Sequence, residues 1–231
     1  MRTRLAAALT IGMTAMSASG LEISYDGSQS PNSLTPDPFS FIVFGGTSWS
    51  TDGEALTLTT APIRGIWFGN ANHTGSSVPW QIGSPEEGNY LRVRAKLSEG
   101  ADEWSIYLYD TEFLAAFGLF ADELSYSNQA GGTVLDWDPT EFNTYEFLLR
   151  DGMVTYRLNE SQVLYHGPAN ASVVSTGLMV IGDGSGSTPT GTGSMIIDDV
   201  LYISGPDFEI VPEPGSLVLL GLASLALVRR R

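Results

Sequence analysis

Between Leu21 and Pro206 the hydrophobic positions recur mostly at every second residue. In "YLRVRAKL" Leu91, Val93, Ala95 and Leu97 share one face and Arg92, Arg94 and Lys96 the other, the pattern of a half-buried antiparallel strand. In "WSIYLYD" Trp104, Ile106 and Leu108 likewise oppose Ser105, Tyr107 and Tyr109. The runs "ALTLTTAP", "NTYEFLLRDGMVTYRLNESQVLYHG", "VSTGLMVIGDG" and "GSMIIDDVLYIS" are rich in β-branched and aromatic residues and bounded by Gly, Pro, Asn and Asp, so they predict further strands. Arg150-Asp151-Gly152 carries a hairpin signal, and Leu158-Asn159-Glu160-Ser161 a second tight turn. Only "TEFLAAFGLFADELS" breaks the rhythm. Phe113, Leu114, Phe117 and Leu124 could line a short helix, while Gly118 and the density of Phe and Leu fit strands or a hydrophobic loop equally well. About ten or more short strands predict an all-β domain of two packed antiparallel sheets.

The two ends follow other rules. Arg2 and Arg4 precede an apolar stretch from Leu5 and then small residues, the order of a secretory signal peptide. Ala18 and Gly20 suit a cut before Leu21, with Ala15 and Ser17 as an alternative pair. At the other end, Leu217 to Val228 carries no charge, but twelve helical residues rise only ~18 Å against a hydrocarbon core of ~30 Å. The basic cluster Arg229, Arg230 and Arg231 would keep the extreme C-terminus in the cytoplasm and the body outside. The expected organisation is a leader at 1–20, one β-sandwich domain at 21–206, and a linker and tail with a short membrane helix at 207–231.

Composition sharpens this picture. Of the 231 residues, 26 are acidic and 11 basic, for a net charge of −15, and five of the basic residues lie in the two ends. The body is therefore strongly anionic and repels phosphate backbones, which argues against a nucleic-acid partner. Cysteine is absent, which excludes disulfides, thiolate nucleophiles and Cys-ligated zinc; the fold must be held by its core.

The tail supports a resemblance. Pro212-Glu213-Pro214, a short apolar helix and Arg229-Arg230-Arg231, in that order and beside a leader at the other end, resemble the PEP-CTERM protein-sorting signal of exported proteins in Gram-negative bacteria that make exopolysaccharide. The resemblance implies passage through signal peptidase and the general secretion machinery, then recognition by an exosortase, a membrane transpeptidase-like enzyme expected to cut near Pro-Glu-Pro. The body would pass to the cell surface or its polysaccharide matrix. A permanent single-span anchor is the other reading. The strand order of "GNYLRVRAKL", "TEFNTYEFLLRDGMVTYRLNESQVLYHG" and "LMVIGDGSGSTPTGTGSMIIDDVLYIS" resembles the concanavalin A-like, laminin-G-like jelly rolls over some 120 residues. Where that family commonly has Asp-Gly in its second hairpin, this chain has Asn159-Glu160.

Candidate chemistry is sparse. Glycosidases need two carboxyl groups roughly 5 to 10 Å apart, which jelly-roll glucanases supply as Glu-x-Asp-x-x-Glu, and no such string occurs. Asp136, Asp138 and Glu141 come closest, but Pro139 interrupts them. His73 and His166 are not spaced as metal ligands, there is no Gly-x-Ser-x-Gly elbow, and "IGDGSGSTPTGTGS" lacks the Lys and following helix of a phosphate cradle. No cofactor is expected other than a candidate calcium ion, for which Asp183, Asp198 and Asp199 would be the oxygen ligands. Alternation places Asp198 and Asp199 on opposite faces, so one side chain of that pair could join. For carbohydrate contact the candidates are Trp67, Trp80 and Trp137 near turns, and Tyr107, Tyr109, Arg92 and Arg94 as neighbours on one polar face; Trp104 reads as core. The expectation is an exported, non-enzymatic jelly-roll domain that binds glycan, with exopolysaccharide as a candidate partner. A jelly-roll hydrolase or lyase and a purely structural surface protein are the alternatives.

Overall fold

The computed structural model describes residues 20–30, 39–43, 46–61, 65–70, 80–127, 132–134, 137–174, 176–183 and 192–205. Residues 1–19 of the predicted leader, the sorting residues Pro212, Glu213, Pro214, Arg229, Arg230 and Arg231, and also His73 and Asp136, lie outside the described residues.

Among the described residues sixteen strands form two antiparallel sheets and there is no helix. The first sheet runs β13 (Gln162–Pro168), β12 (Met153–Leu158), β11 (Asn143–Arg150), β6 (Asn89–Leu97), β16 (Ser194–Ser204), β4 (Leu56–Thr59) and β3 (Ser48–Thr51), with β1 (Leu21–Tyr25) also on β16. The second runs β10 (Gly132–Val134), β9 (Leu124–Ser127), β8 (Phe113–Leu119), β7 (Trp104–Tyr109), β15 (Leu178–Gly182), β5 (Ile66–Gly69) and β2 (Ser40–Val43), with β14 (Asn170–Ala171) on β8. The segment of undecided rhythm is thus the hairpin of β8 and β9.

The β11–β12 and β12–β13 hairpins form because their turn residues accept left-handed backbone. Asp151 and Gly152 have φ of 49° and 72° and join Arg150 to Met153 as a two-residue turn, matching the hairpin signal. Asn159 and Glu160 also take positive φ, 51° and 64°. No glycine is needed there because the Asn159 amide ties the turn down: its Oδ1 accepts from Thr144 N–H at 2.9 Å and its Nδ2 donates to Asn143 Oδ1 at 2.9 Å.

The inward faces make one core. Leu91, Val93, Ala95 and Leu97 of β6 meet Trp104, Ile106 and Leu108 of β7, all at most 1% exposed. Tyr156 of β12 reaches across this core. Its hydroxyl accepts from Ala116 N–H of β8 at 3.1 Å and donates to the Ser127 carbonyl of β9. The ring packs edge-on against Phe117 and Phe147. Burial pushes the Tyr156 hydroxyl far above the ordinary tyrosine range, so it stays protonated and keeps bracing β8 and β9.

One strand departs from simple alternation. In β16 the pairing with β6 slips between Ile197 and Asp199. Two inward residues, Ile197 and Val200, are therefore separated by two outward ones, Asp198 and Asp199. Such a bulge turns consecutive side chains to the same side, which corrects the expectation that the two aspartates face opposite ways. Asp199 pairs with Arg92 at 2.8 Å and Asp198 with Arg94; these partly exposed pairs contribute at most ~1 kcal/mol each.

The turn between β7 and β8 holds a buried acid. Asp110 has no exposed surface, and its Oδ1 accepts from Glu112 N–H at 2.7 Å and Phe113 N–H at 2.6 Å, while Oδ2 meets no partner. Burial raises its pKa above the usual aspartate value, against those two hydrogen bonds and with help from the nearby Glu112 and Glu86 carboxylates. A folded-state pKa above the unfolded one favours the folded protein below the unfolded value, and that advantage is lost as pH rises through the folded value. Asp110→Asn keeps an Oδ1 acceptor and cannot ionise. We expect melting temperatures from about pH 4 to pH 7 to fall less steeply in this variant than in the wild type; an unchanged slope would remove Asp110 from the account.

Candidate functional site

The outward face of the second sheet carries a trough whose floor is set by strand register. Trp67 lies beside Gly182, Gly182 beside Ser105, Ser105 beside Gly118 and Gly118 beside Ser125, one row across five strands. Four successive small residues keep this floor low, since none of their side chains rises above a hydroxymethyl, and the Phe120 ring lies over Gly118. The next row passes through Gly69, Val180, Tyr107, Ala116 and Ser127, and a third through Leu178, Tyr109, Leu114 and Asn170. Over the β7, β8 and β9 part of these rows lies a groove of about 290 Å³, lined by Ser105, Tyr107, Leu114, Ala116, Gly118 and Ser125, with Phe120, Tyr126 and Ser127 around them; Trp67, Gly182 and Tyr109 continue the same face beyond it.

Aromatic rings border that floor. Tyr107 and Tyr109 stack on each other, with centroids 5.7 Å apart and planes 28° from parallel, and both are half-buried. Trp67, also half-buried, donates its indole N–H to the Asp183 carbonyl, which fixes the ring at the head of the glycine row. Serine hydroxyls from Ser105, Ser125 and Ser127 supply donors and acceptors between the rings, and Asn170 Nδ2 donates to Ser127 Oγ at 2.7 Å. Among the described residues that line the groove there is no carboxylate.

Of the residues expected to touch carbohydrate, Trp67, Tyr107 and Tyr109 share this face, and four others do not. Arg92 and Arg94 point outward from β6, which belongs to the first sheet, so they occupy the opposite side of the sandwich from Tyr107 and Tyr109 and are not their neighbours. They are committed to Asp199 and Asp198, and Arg94 with Lys96 also lies over the Phe142 ring, at 4.7 and 4.8 Å. Trp80 and Trp137 are core residues, 6% and 7% exposed. Trp80 stacks on Tyr202 at 5.0 Å and Trp137 meets Tyr145 edge-on. Their nearness to turn residues in sequence misled because both rings pack into the core cluster.

The three aspartates named for calcium do not converge either. Asp183 is buried at the end of β15, accepting from Thr60 Oγ1 at 2.8 Å, in the second sheet, whereas Asp198 and Asp199 stand on the outer face of the first. Among the described residues no group of three or more His, Asp or Glu side chains could hold a metal ion. Asp138 accepts from Thr140 N–H and Oγ1 at 2.9 and 2.7 Å, a turn cap rather than a paired catalytic acid. His166 Nδ1 shares a 2.8 Å hydrogen bond with Thr155 Oγ1. Sequence reasoning missed the small residues Gly182, Ser105, Gly118, Ala116 and Ser125; the available signal was the lack of polar alternation in "FLAAFGLF".

Comparison with known proteins bears on both parts of the chain. No curated protein matches it in sequence. Its structure resembles that of the Crh5 transglycosylase, both apo (TM-score 0.53, 14% identity, covering 84% of this chain and 89% of that one) and in complex with NAG (TM-score 0.54, 14% identity, with the same coverage). It also resembles the alginate lyase AlgAT5 from Polysaccharide Lyase family 7 (TM-score 0.51, 11% identity, 70% of this chain and 83% of that one). At such identities what is shared is the fold, an antiparallel jelly-roll sandwich. Residues 211–231 match the family described as the PEP-CTERM protein-sorting motif. The chain thus carries a PEP-CTERM sorting motif, the mark of an exported protein processed by an exosortase, behind a jelly-roll body.

Proposed function

We propose that the exported body is a polysaccharide-binding module that does not cut its ligand, and that it works at the cell surface or in the extracellular matrix, in association with exopolysaccharide. The observation that carries this reading is the groove lined by Ser105, Gly118, Ser125 and Tyr107, on the face that Tyr109, stacked on Tyr107, and the Gly182 and Trp67 pair extend. A sugar ring has C–H faces that pack on aromatic surfaces and a rim of hydroxyls that needs hydrogen-bonding partners. The trough offers a flat floor, rings beside it and serine hydroxyls within it, the mixture of apolar walls and few polar groups that ligand sites have. Its volume of about 290 Å³ falls just below the usual range of about 300 to 1,000 Å³, which suits a short stretch of a chain passing over the surface.

The same fold houses a transglycosylase and an alginate lyase, by their names proteins that act on glycans; this supports a glycan ligand by analogy only. Turnover would require a general acid and base or nucleophile, and the lining residues provide hydroxyls and rings. The test is retention of the exported protein by a panel of immobilised neutral and acidic polysaccharides, with soluble products followed in parallel. Retention without new reducing ends or unsaturated products is expected. Product release would make the protein an enzyme, and no retention on any polymer would end the carbohydrate reading.

A further inference from the structure

Charge is divided unequally between the two sheets. Among the described residues every Lys and Arg stands on β6, β11 or β12 of the first sheet, and Asp198 and Asp199 of β16 lie beside them; Arg64 lies outside the described residues. The eight strands of the second sheet contain no Asp, Glu, Lys, Arg or His at all. In either sheet the inward half of a strand is apolar because it meets the core, so the difference lies in the outward half. There the second sheet fills its polar positions with Ser and Tyr.

Carboxylates gather instead at the ends of the groove. Asp102 and Glu103 lead into β7, and Asp122 and Glu123 lie in the turn between β8 and β9. The two segments are tied together where Asp102 Oδ1 accepts from Ala121 N–H at 2.8 Å, next to Phe120, which lines the groove. Glu112 stands exposed in the β7–β8 turn at the other end. The net charge of −15 adds a negative field of longer range.

A ligand in the groove meets the hydroxyls of Ser105, Ser125 and Ser127, aromatic rings and small side chains, which suit the hydroxyls and C–H faces of a sugar. An ionised carboxylate that sheds its water needs a cation or several aimed N–H donors in return. Among the described residues that line the groove none bears a positive charge. The same face already disfavours negative charge at one of its own groups: burial, and then the neighbouring Tyr107, raise the pKa of Tyr109 above its ordinary value.

We propose that this face selects neutral polysaccharides and discriminates against uronate-bearing ones, an assignment that rests on the polysaccharide-binding reading of the groove. Two effects act together and separate by salt. Repulsion from the turn carboxylates and the net charge is screened over about 10 Å at 0.1 M, whereas the lost hydration of a seated carboxylate persists at any ionic strength.

The test holds the sugar backbone fixed and changes only its charge. Alginate and pectate are compared with their carboxyl-reduced forms, in which each carboxylate becomes a hydroxymethyl, and cellulose with its 6-carboxylated form. All are immobilised, and the exported protein is applied in buffer free of divalent cations. We expect the neutral member of a retained pair to bind at least tenfold more tightly at low salt, and the gap to narrow without closing at about 0.5 M salt. Ser125→Lys supplies the missing charge from a half-buried lining position on β9 and should raise affinity for the carboxylated member at least fivefold. Equal or tighter binding of the carboxylated member by the wild type overturns the selectivity and leaves a polysaccharide site in place. An unchanged preference in Ser125→Lys at the wild-type melting temperature overturns the assignment of that selectivity to the groove. Retention of neither member of any pair ends the polysaccharide reading itself, and the selectivity with it.

Discussion

Trp104→Ala should lower the unfolding free energy of the body by about 3 to 5 kcal/mol, the range for deleting a fully buried large aromatic side chain. Trp104 is 0% exposed, opens β7, the strand that carries the trough's Ser105 and Tyr107, and sits in the main cluster between the two sheets. It also donates its indole N–H to the Thr192 carbonyl at 3.1 Å, so truncation leaves both a large void and a carbonyl without that donor. Domains of this kind have only about 5 to 15 kcal/mol of net stability and, lacking cysteine, this one has no disulfide to fall back on. Denaturant titration measures the loss. A change below about 1 kcal/mol would mean that the core is not packed as described.

The second large effect concerns the address. Replacing Pro212, Glu213 and Pro214 together by alanine should leave exported protein as full-length precursor in the membrane fraction, with the processed form lost. The matched motif spans 211–231, and its Pro-Glu-Pro is the part an exosortase is expected to read. Because the substitutions follow the last strand, which ends at Ser204, the thermal unfolding of the body should not change. Immunoblotting of cell fractions decides the matter: processing as complete as in the wild type would show that residues 212–214 are not what the sorting enzyme reads.

Much of the fold is legible in the sequence where one face of a strand is buried and the other wet. β6 and β7 show clean alternation, and their predicted inward residues are the buried ones. The Asp151-Gly152 turn is legible for the same local reason, since its residues tolerate positive φ. What escapes is of three kinds. Very short strands such as β2, β3 and β5, each of four residues, offer too little periodicity. β8 is ambiguous because its outward residues, Leu114, Ala116 and Gly118, are themselves apolar or small; the trough they build removes the polar half of the pattern, so the site obscured its own strand. Finally, alternation tells which residues share a face of one strand and nothing of which sheet that strand joins. Hence Arg92 and Arg94 of β6 and Tyr107 and Tyr109 of β7, all outward, lie on opposite sides of the molecule. The bulge at Asp198 and Asp199 likewise depends on cross-strand pairing that no single strand encodes.

The central claim is that the trough of the second sheet is where a polysaccharide lies. The most direct measurement compares retention on whichever polymer holds the wild type with that of Ser105→Trp and, as a control on the opposite face, Arg94→Ala. Ser105 has glycine on both neighbouring strands, Gly118 and Gly182, so an indole placed there fills the trough without entering the core. The account predicts at least a tenfold loss of affinity for Ser105→Trp at unchanged thermal stability, and none for Arg94→Ala. Full affinity in Ser105→Trp with loss in Arg94→Ala would move the binding face to the other sheet and contradict the account.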